Sequence, residues 1–173
     1  MTDFSDLPKQ WLVTQTPQED VVNGTADIYA GWHIQAAAHV PILPIAAADG
    51  RPAGRLIGWA MRAGHLYGQG DTIVLAACET VADLYRQLSG RFVLLWQQSN
   101  GHVQVREDAS GGLPLVHSAQ HRAFGSTVTV LDQIADLERD TDVEAIFDFP
   151  KNRGFLPFGL TTRKGVRRLM PHP

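Results

Sequence analysis

The chain has 173 residues, with 15 Lys and Arg against 18 Asp and Glu, a formal charge of −3 at pH 7. That length suits one domain (1–173), and the mild acidity argues against a general nucleic-acid binder, which would carry a basic excess. Hydrophobic residues make up 44% and charged ones 19%, enough apolar content for a core, while the single Cys78 excludes an internal disulfide framework and a multi-cysteine zinc site.

No apolar run follows the acidic residues 1–9, so no signal peptide is read there. The longest apolar stretch, 36–48, is interrupted by His39, Pro41 and Pro44 and falls short of the ~20 residues that span a bilayer. The expected location is a reducing cytoplasm, with no membrane partner.

Most of the chain reads as short strands. Residues 11–16 and 31–38 are rich in strand formers, with the stretch 23–29 between them read as a turn. Asp49-Gly50 is a turn signal joining 42–48 to 55–62 as a hairpin. Residues 79–89 place Val81, Leu84, Tyr85 and Leu88 at helical spacing, with Thr80 as N-cap, Asp83 three residues later and Gly90 as the stop. The continuous apolar run 91–97 predicts a strand buried on both faces. In 102–106, Val103 and Val105 alternate with polar residues, predicting an antiparallel strand with one buried face. A strand is expected over 113–118 and short helices over 128–138 and 142–149. After Pro150 the chain reads as loop, ending in a short turn over 164–169. Many strands and few helices predict an α+β fold built on antiparallel sheets.

Three segments, in this order, resemble the N-terminal class II glutamine amidotransferase domain of asparagine synthetase-like proteins. They are 88–95 (LSGRFVLL, with Gly90, Arg91 and Phe92), 108–116 (DASGGLPLV, with Asp108, Gly111 and Pro114, followed by 124–127, FGST), and 162–171 (TRKGVRRLMP, with Gly165, Leu169 and Pro171). The resemblance covers 80–171 by motif and the earlier residues only by their strand-rich character. Physically the motifs read as scaffold. Gly90 lets a helix turn directly into a strand, Asp108 suits an Asx turn, and Pro114 suits the first residue of a strand.

The resemblance implies an Ntn-hydrolase-like αββα sandwich, two antiparallel sheets face to face and flanked by helices. Active members of that family use an N-terminal cysteine, exposed by removal of the initiator Met, to attack glutamine. Thr2 stands there in this sequence, followed by a polar stretch interrupted by Pro8. The site motifs are also missing or misplaced: 51–54 is the nearest match to the arginine loop, 23–29 comes too early for the oxyanion segment, and Ile73 stands where the segment at Asp71 needs an acid. The implied reading is a module without catalytic residues, metal or cofactor. Its implied role is scaffold or docking for an ATP-dependent synthetase domain or subunit, toward which the tail 150–173 leads. Self-association into a homodimer is a further option.

Four cations in six positions, Arg163, Lys164, Arg167 and Arg168, offer a docking edge for an acidic partner, with Phe155, Phe158 and Met170 nearby. The alternative is a stand-alone amidohydrolase drawing on Asp71, Asp108 or His117. The loop 110–113 lacks the residues of a pyrophosphate loop and reads as a turn. His117 and His121 flank a hairpin tip and read as a solvated pair. Cys78 reads as a small buried residue.

Overall fold

Alternation of apolar and polar residues builds two six-stranded sheets in the computed structural model, which describes residues 9–18, 21–146 and 159–169. The first sheet contains β1 (Trp11–Thr14), β2 (Gly24–Tyr29), β3 (Trp32–Ala37), β10 (Val116–Ser118), β11 (Ala123–Gly125) and β12 (Val166–Arg168). Its order is β12-β10-β11-β1-β3-β2, antiparallel throughout. The second contains β4 (Ile42–Ala46), β5 (Pro52–Arg62), β6 (His65–Tyr67), β7 (Ile73–Val74), β8 (Ser89–Gln97) and β9 (Val103–Glu107). Its order is β7-β4-β5-β8-β9, with β6 folded back on the end of β5. The β4–β7 pair is parallel, so this sheet is mixed where an all-antiparallel one was expected.

The sheets face one another across a core in which Val13 and Ile34 of the first meet Ile57, Val93 and Leu95 of the second. Two polar links cross the same space. Arg55 on β5 pairs with Asp27 on β2 at 2.5 Å, and the Tyr29 hydroxyl donates to the Ala53 carbonyl (2.9 Å) and accepts from Gln97 N–H (3.2 Å). A second core lies on the outer face of the second sheet, where Leu56, Phe92 and Leu94 meet Val81 and Leu84 of helix α1 (Val81–Tyr85). This explains the continuous apolar run of β8: alternate residues serve different cores, so neither face is free to be polar. Helix α2 (Val128–Asp132) packs on β11 and β1 from the other side, and α3 (Thr141–Ile146) follows it. Among the described residues no helix is long and apolar enough to cross a membrane.

Several expectations need correction. The stretch 23–29 is largely strand β2, paired along its length with β3, rather than a turn. The helix expected over 79–89 closes after five residues. Its capping box forms as the sequence implies, with Thr80 Oγ accepting from Asp83 N–H (3.1 Å) and Asp83 Oδ2 from Thr80 N–H (3.2 Å). Its C-cap, however, is Arg86 in ordinary helical conformation, because Ser89 and Gly90 are claimed by the ladder with Met61 and Ala60 of β5. Gly90 is therefore a strand residue and not the helix stop. The strand expected over 113–118 begins only at Val116, so Pro114 lies in the loop before it. Residues 166–168 form strand β12 on β10, where a turn was expected. Of the C-terminal helix expected over 142–149, the described part is α3. Thr2, Phe155, Phe158, Met170 and Pro171 lie outside the described residues.

Candidate functional site

The described parts of the three motifs that carry the resemblance touch one another. Asp108, directly after β9, accepts hydrogen bonds from Phe92 N–H (3.2 Å), Ser110 N–H (2.9 Å), the Ser110 hydroxyl and Gly112 N–H (3.1 Å). It is an Asx turn with an added clamp on β8. Burial by itself would push its carboxyl up. The Ser110 hydroxyl and the three backbone donors outweigh that and hold it below the usual aspartate range. The adjoining glycines have separate uses. Gly111 takes a left-handed φ of 61°, and a Cβ at Gly112 would lie 2.8 Å from Arg91 Cγ.

Gly90 is required by close approach. Its φ is 143°, and a Cβ there would sit 2.3 Å from the Trp59 carbonyl oxygen. Gly58, on the paired strand, faces Arg91 O in the same way with φ 107°. The sequence reading missed Gly58, although a glycine inside an apolar strand is itself a signal of close backbone approach. Phe92 fills the helix-side core edge-on to Tyr85, with ring centroids 6.3 Å apart. From the third motif, Gly165 (φ 71°) turns the chain into β12, and Leu169 packs against the inter-sheet core while its N–H donates to Leu115 O (2.8 Å).

Beside this clamp lies a group the sequence reading overlooked. Val103, Val105 and Glu107 share one face of β9, and that face meets the inter-sheet core, so a carboxyl occupies an apolar register position. Glu107 is 6% exposed, and its Oε1 has no hydrogen-bond partner among the described residues. Burial, then the negative charge of Asp108, push its carboxyl up to about 7 against the opposing field of Arg168. An acid two positions after an alternating valine pair was the available signal.

The four clustered cations divide into two pairs. Arg163 grips Asp132 through Nε (3.0 Å to Oδ1) and its terminal nitrogen (2.9 Å to Oδ2), and Lys164 Nζ meets Glu138 Oε1 at 2.5 Å. Arg167 and Arg168 are exposed on β12 and carry no ion pair among the described residues. Of the four cations read from sequence as a docking edge, two are thus without an ion pair among the described residues.

An open cleft of about 670 Å³ lies elsewhere, lined by Tyr29, Ala53, Glu79, Thr80, Trp96 and the 97–100 turn. Its acid, Glu79, is satisfied within the chain by Ala76 N–H (2.8 Å), Arg62 (2.6 Å) and Gln87 (2.8 Å). Burial alone would raise it, but those partners hold it below the usual glutamate range.

Asp71 caps the Gly68 N–H (2.9 Å) in the turn before β7 of the second sheet, whereas His117 lies on β10 of the first. Burial and then the charge of Arg167 hold His117 below its ordinary value. Cys78 corrects the expectation of a buried residue: it is exposed, with φ 66°. Among the described residues no group of three or more His, Cys, Asp and Glu is placed to hold a metal ion. No family model matches the chain, and no match is found among curated proteins or solved structures.

Proposed function

We propose that the chain is a catalytically degenerate glutamine amidotransferase-like module of the asparagine synthetase-like type. In this reading it acts in the cytoplasm as a scaffold or docking element for an ATP-dependent, amide-forming synthetase domain or subunit. The observation that carries the reading is the interlocking of the three motifs: Asp108 with Phe92, Gly112 with Arg91, and Leu115 with Leu169. Asp108 spends its carboxylate on backbone donors and the Ser110 hydroxyl, as a retained scaffold residue would. A helix on the outer side of each facing sheet fits the layer order of an Ntn-hydrolase-like αββα sandwich. Thr2 in place of cysteine accounts for the loss of glutamine chemistry. Arg167 and Arg168 supply the docking edge, and their charge would speed encounter with an acidic surface and make binding salt-sensitive.

The test has two arms. Purified protein incubated with glutamine should release no ammonia above the Thr2→Ala variant; turnover lost in that variant would overturn the degenerate reading. Binding to a purified asparagine synthetase-type subunit should fall at least tenfold on charge reversal of Arg167 and Arg168, with an unchanged melting temperature. Unaltered binding would remove the docking edge, and self-association alone would leave a homodimer.

A second reading, a stand-alone amidohydrolase, takes as its candidate acid Glu107, a buried carboxyl whose Oε1 has no hydrogen-bond partner among the described residues. Hydrolysis of simple amides that disappears in Glu107→Gln would favour it.

A further inference from the structure

The sequence holds three pairs in which Asp or Asn precedes glycine: Asn23-Gly24, Asp49-Gly50 and Asn100-Gly101. A glycine has no side chain to shield its backbone nitrogen, so that nitrogen can reach the carbonyl carbon of the preceding side chain. Attack needs an N–H that is free and a side chain that can turn. In two of the pairs the fold withholds both. Gly50 N–H donates to Ala47 O (2.9 Å), while the Asp49 carboxylate accepts from Arg51 N–H (3.1 Å) and pairs with the Arg51 guanidinium (2.7 Å). Gly101 N–H donates to Gln98 O (2.9 Å), and Asn100 Oδ1 accepts from His102 N–H (2.9 Å), in the turn between β8 and β9.

Asn23-Gly24 differs at both atoms. Asn23 is exposed in the bend before β2, and no hydrogen bond holds its side chain among the described residues. Gly24 opens β2, the outermost strand of its sheet, and is in register with Ala37 of β3. Ala37 N–H donates to Gln10 O (2.9 Å), on the β1 side of β3. Residues along a strand turn their N–H and C=O alternately to either side, so Ala37 and Gly24 are a non-hydrogen-bonded pair. The Gly24 N–H therefore faces the open edge of the sheet. Farther along that edge, Ile28 N–H is covered by Asp27 Oδ1 (2.7 Å). Nor can another residue replace Gly24, because a Cβ there would overlap the Ala36 carbonyl oxygen.

We propose that Asn23 is a site of spontaneous deamidation, which turns the entry to β2 into aspartate and isoaspartate while the β8–β9 turn protects Asn100. The Gly24 nitrogen gives up its proton to hydroxide and bonds to Asn23 Cγ. The Cγ–Nδ2 bond breaks, and the departing nitrogen takes up a proton and leaves as ammonia, closing a five-membered succinimide. Water then opens the ring at either carbonyl; opening at the main-chain carbonyl leaves isoaspartate. One water is consumed, one ammonia is released and nothing is oxidised. Each product adds a negative charge, and isoaspartate also lengthens the backbone by one carbon just before the strand that carries Asp27 and Tyr29.

The experiment incubates the full chain for weeks at pH 7.4 and 37 °C, folded and in urea. Peptide mass spectrometry locates each amide-to-acid conversion, and enzymatic methyl transfer from S-adenosylmethionine counts isoaspartate. In the folded chain Asn23 should convert at least about tenfold faster than Asn100, where two hydrogen bonds must break before attack. In urea the two sites should convert at similar rates. Conversion at Asn23 should quicken as pH rises, because attack requires loss of the Gly24 proton. Asn23→Gln, at an exposed position, should suppress the product with an unchanged melting temperature, since its ring would need six members. Asn100 converting as fast as Asn23 in the folded chain would overturn the proposal. So would an Asn23 that folding slows tenfold or more relative to urea.

Discussion

Replacing Asp108 with alanine removes the acceptor of four hydrogen bonds at the point where the two sheets are joined by the loop after β9. Asp108 is only 3% exposed, and the Phe92 N–H it satisfies lies in the middle of buried strand β8. Hydrogen bonds to a charged acceptor contribute about 1.5–3 kcal/mol each, and a buried donor left unsatisfied costs about 1–3 kcal/mol. Ser110 is exposed and Gly112 half-buried, so their donors regain water and the bonds do not add. The expected loss is about 3–4 kcal/mol, a large fraction of the 5–15 kcal/mol typical of a domain.

Urea unfolding at pH 6 is the cleanest assay. The raised carboxyl of Glu107 favours its neutral form toward acid, which limits any relief from removing its charged neighbour. The sign with pH follows from the lowered carboxyl of Asp108. Its stabilisation is fully present above the unfolded value near 4 and is lost as pH falls through the lower folded value, so the deficit of the variant should shrink in strong acid. Asp108→Asn keeps one acceptor oxygen and should fall between the two. A variant Asp108→Ala within about 0.5 kcal/mol of the parent at pH 6, the range of an ordinary surface substitution, would refute the clamp.

Gly90→Ala should destabilise by more than about 2 kcal/mol, since its φ of 143° and a Cβ 2.3 Å from Trp59 O impose both strain and a backbone clash. Gly64→Ala, where φ is 82° but no atom lies within 4 Å, isolates the conformational part and should cost less; equal losses in urea melts would mean that close approach at Gly90 is irrelevant. Cys78, exposed at φ 66°, should react with one equivalent of an aromatic disulfide reagent in the folded protein. Reaction only after denaturation would restore the buried reading.

How much of this protein was legible in its sequence depends on how far each determinant lies along the chain. Local patterns sufficed for the strands around Trp11, Ile34, Leu56, Val93 and Val105, for the Asp49-Gly50 turn, for the Thr80–Asp83 capping box and for the Asx turn at Asp108. In each, the deciding interactions join residues within a few positions, so composition and spacing carry them. Short strands β2, β11 and β12 have weak signals of their own and exist because a neighbouring strand offers its backbone groups. The same competition ended α1 early, when β5 captured Ser89 and Gly90. The ion pairs that occupy Arg163 and Lys164 depend on where Asp132 and Glu138 are brought by the fold. The charge of Glu107 is the clearest case. Its identity and its valine-patterned face are written in β9, but its desolvation comes from the sheet packed over it, and a pKa answers to surroundings that only folding assembles.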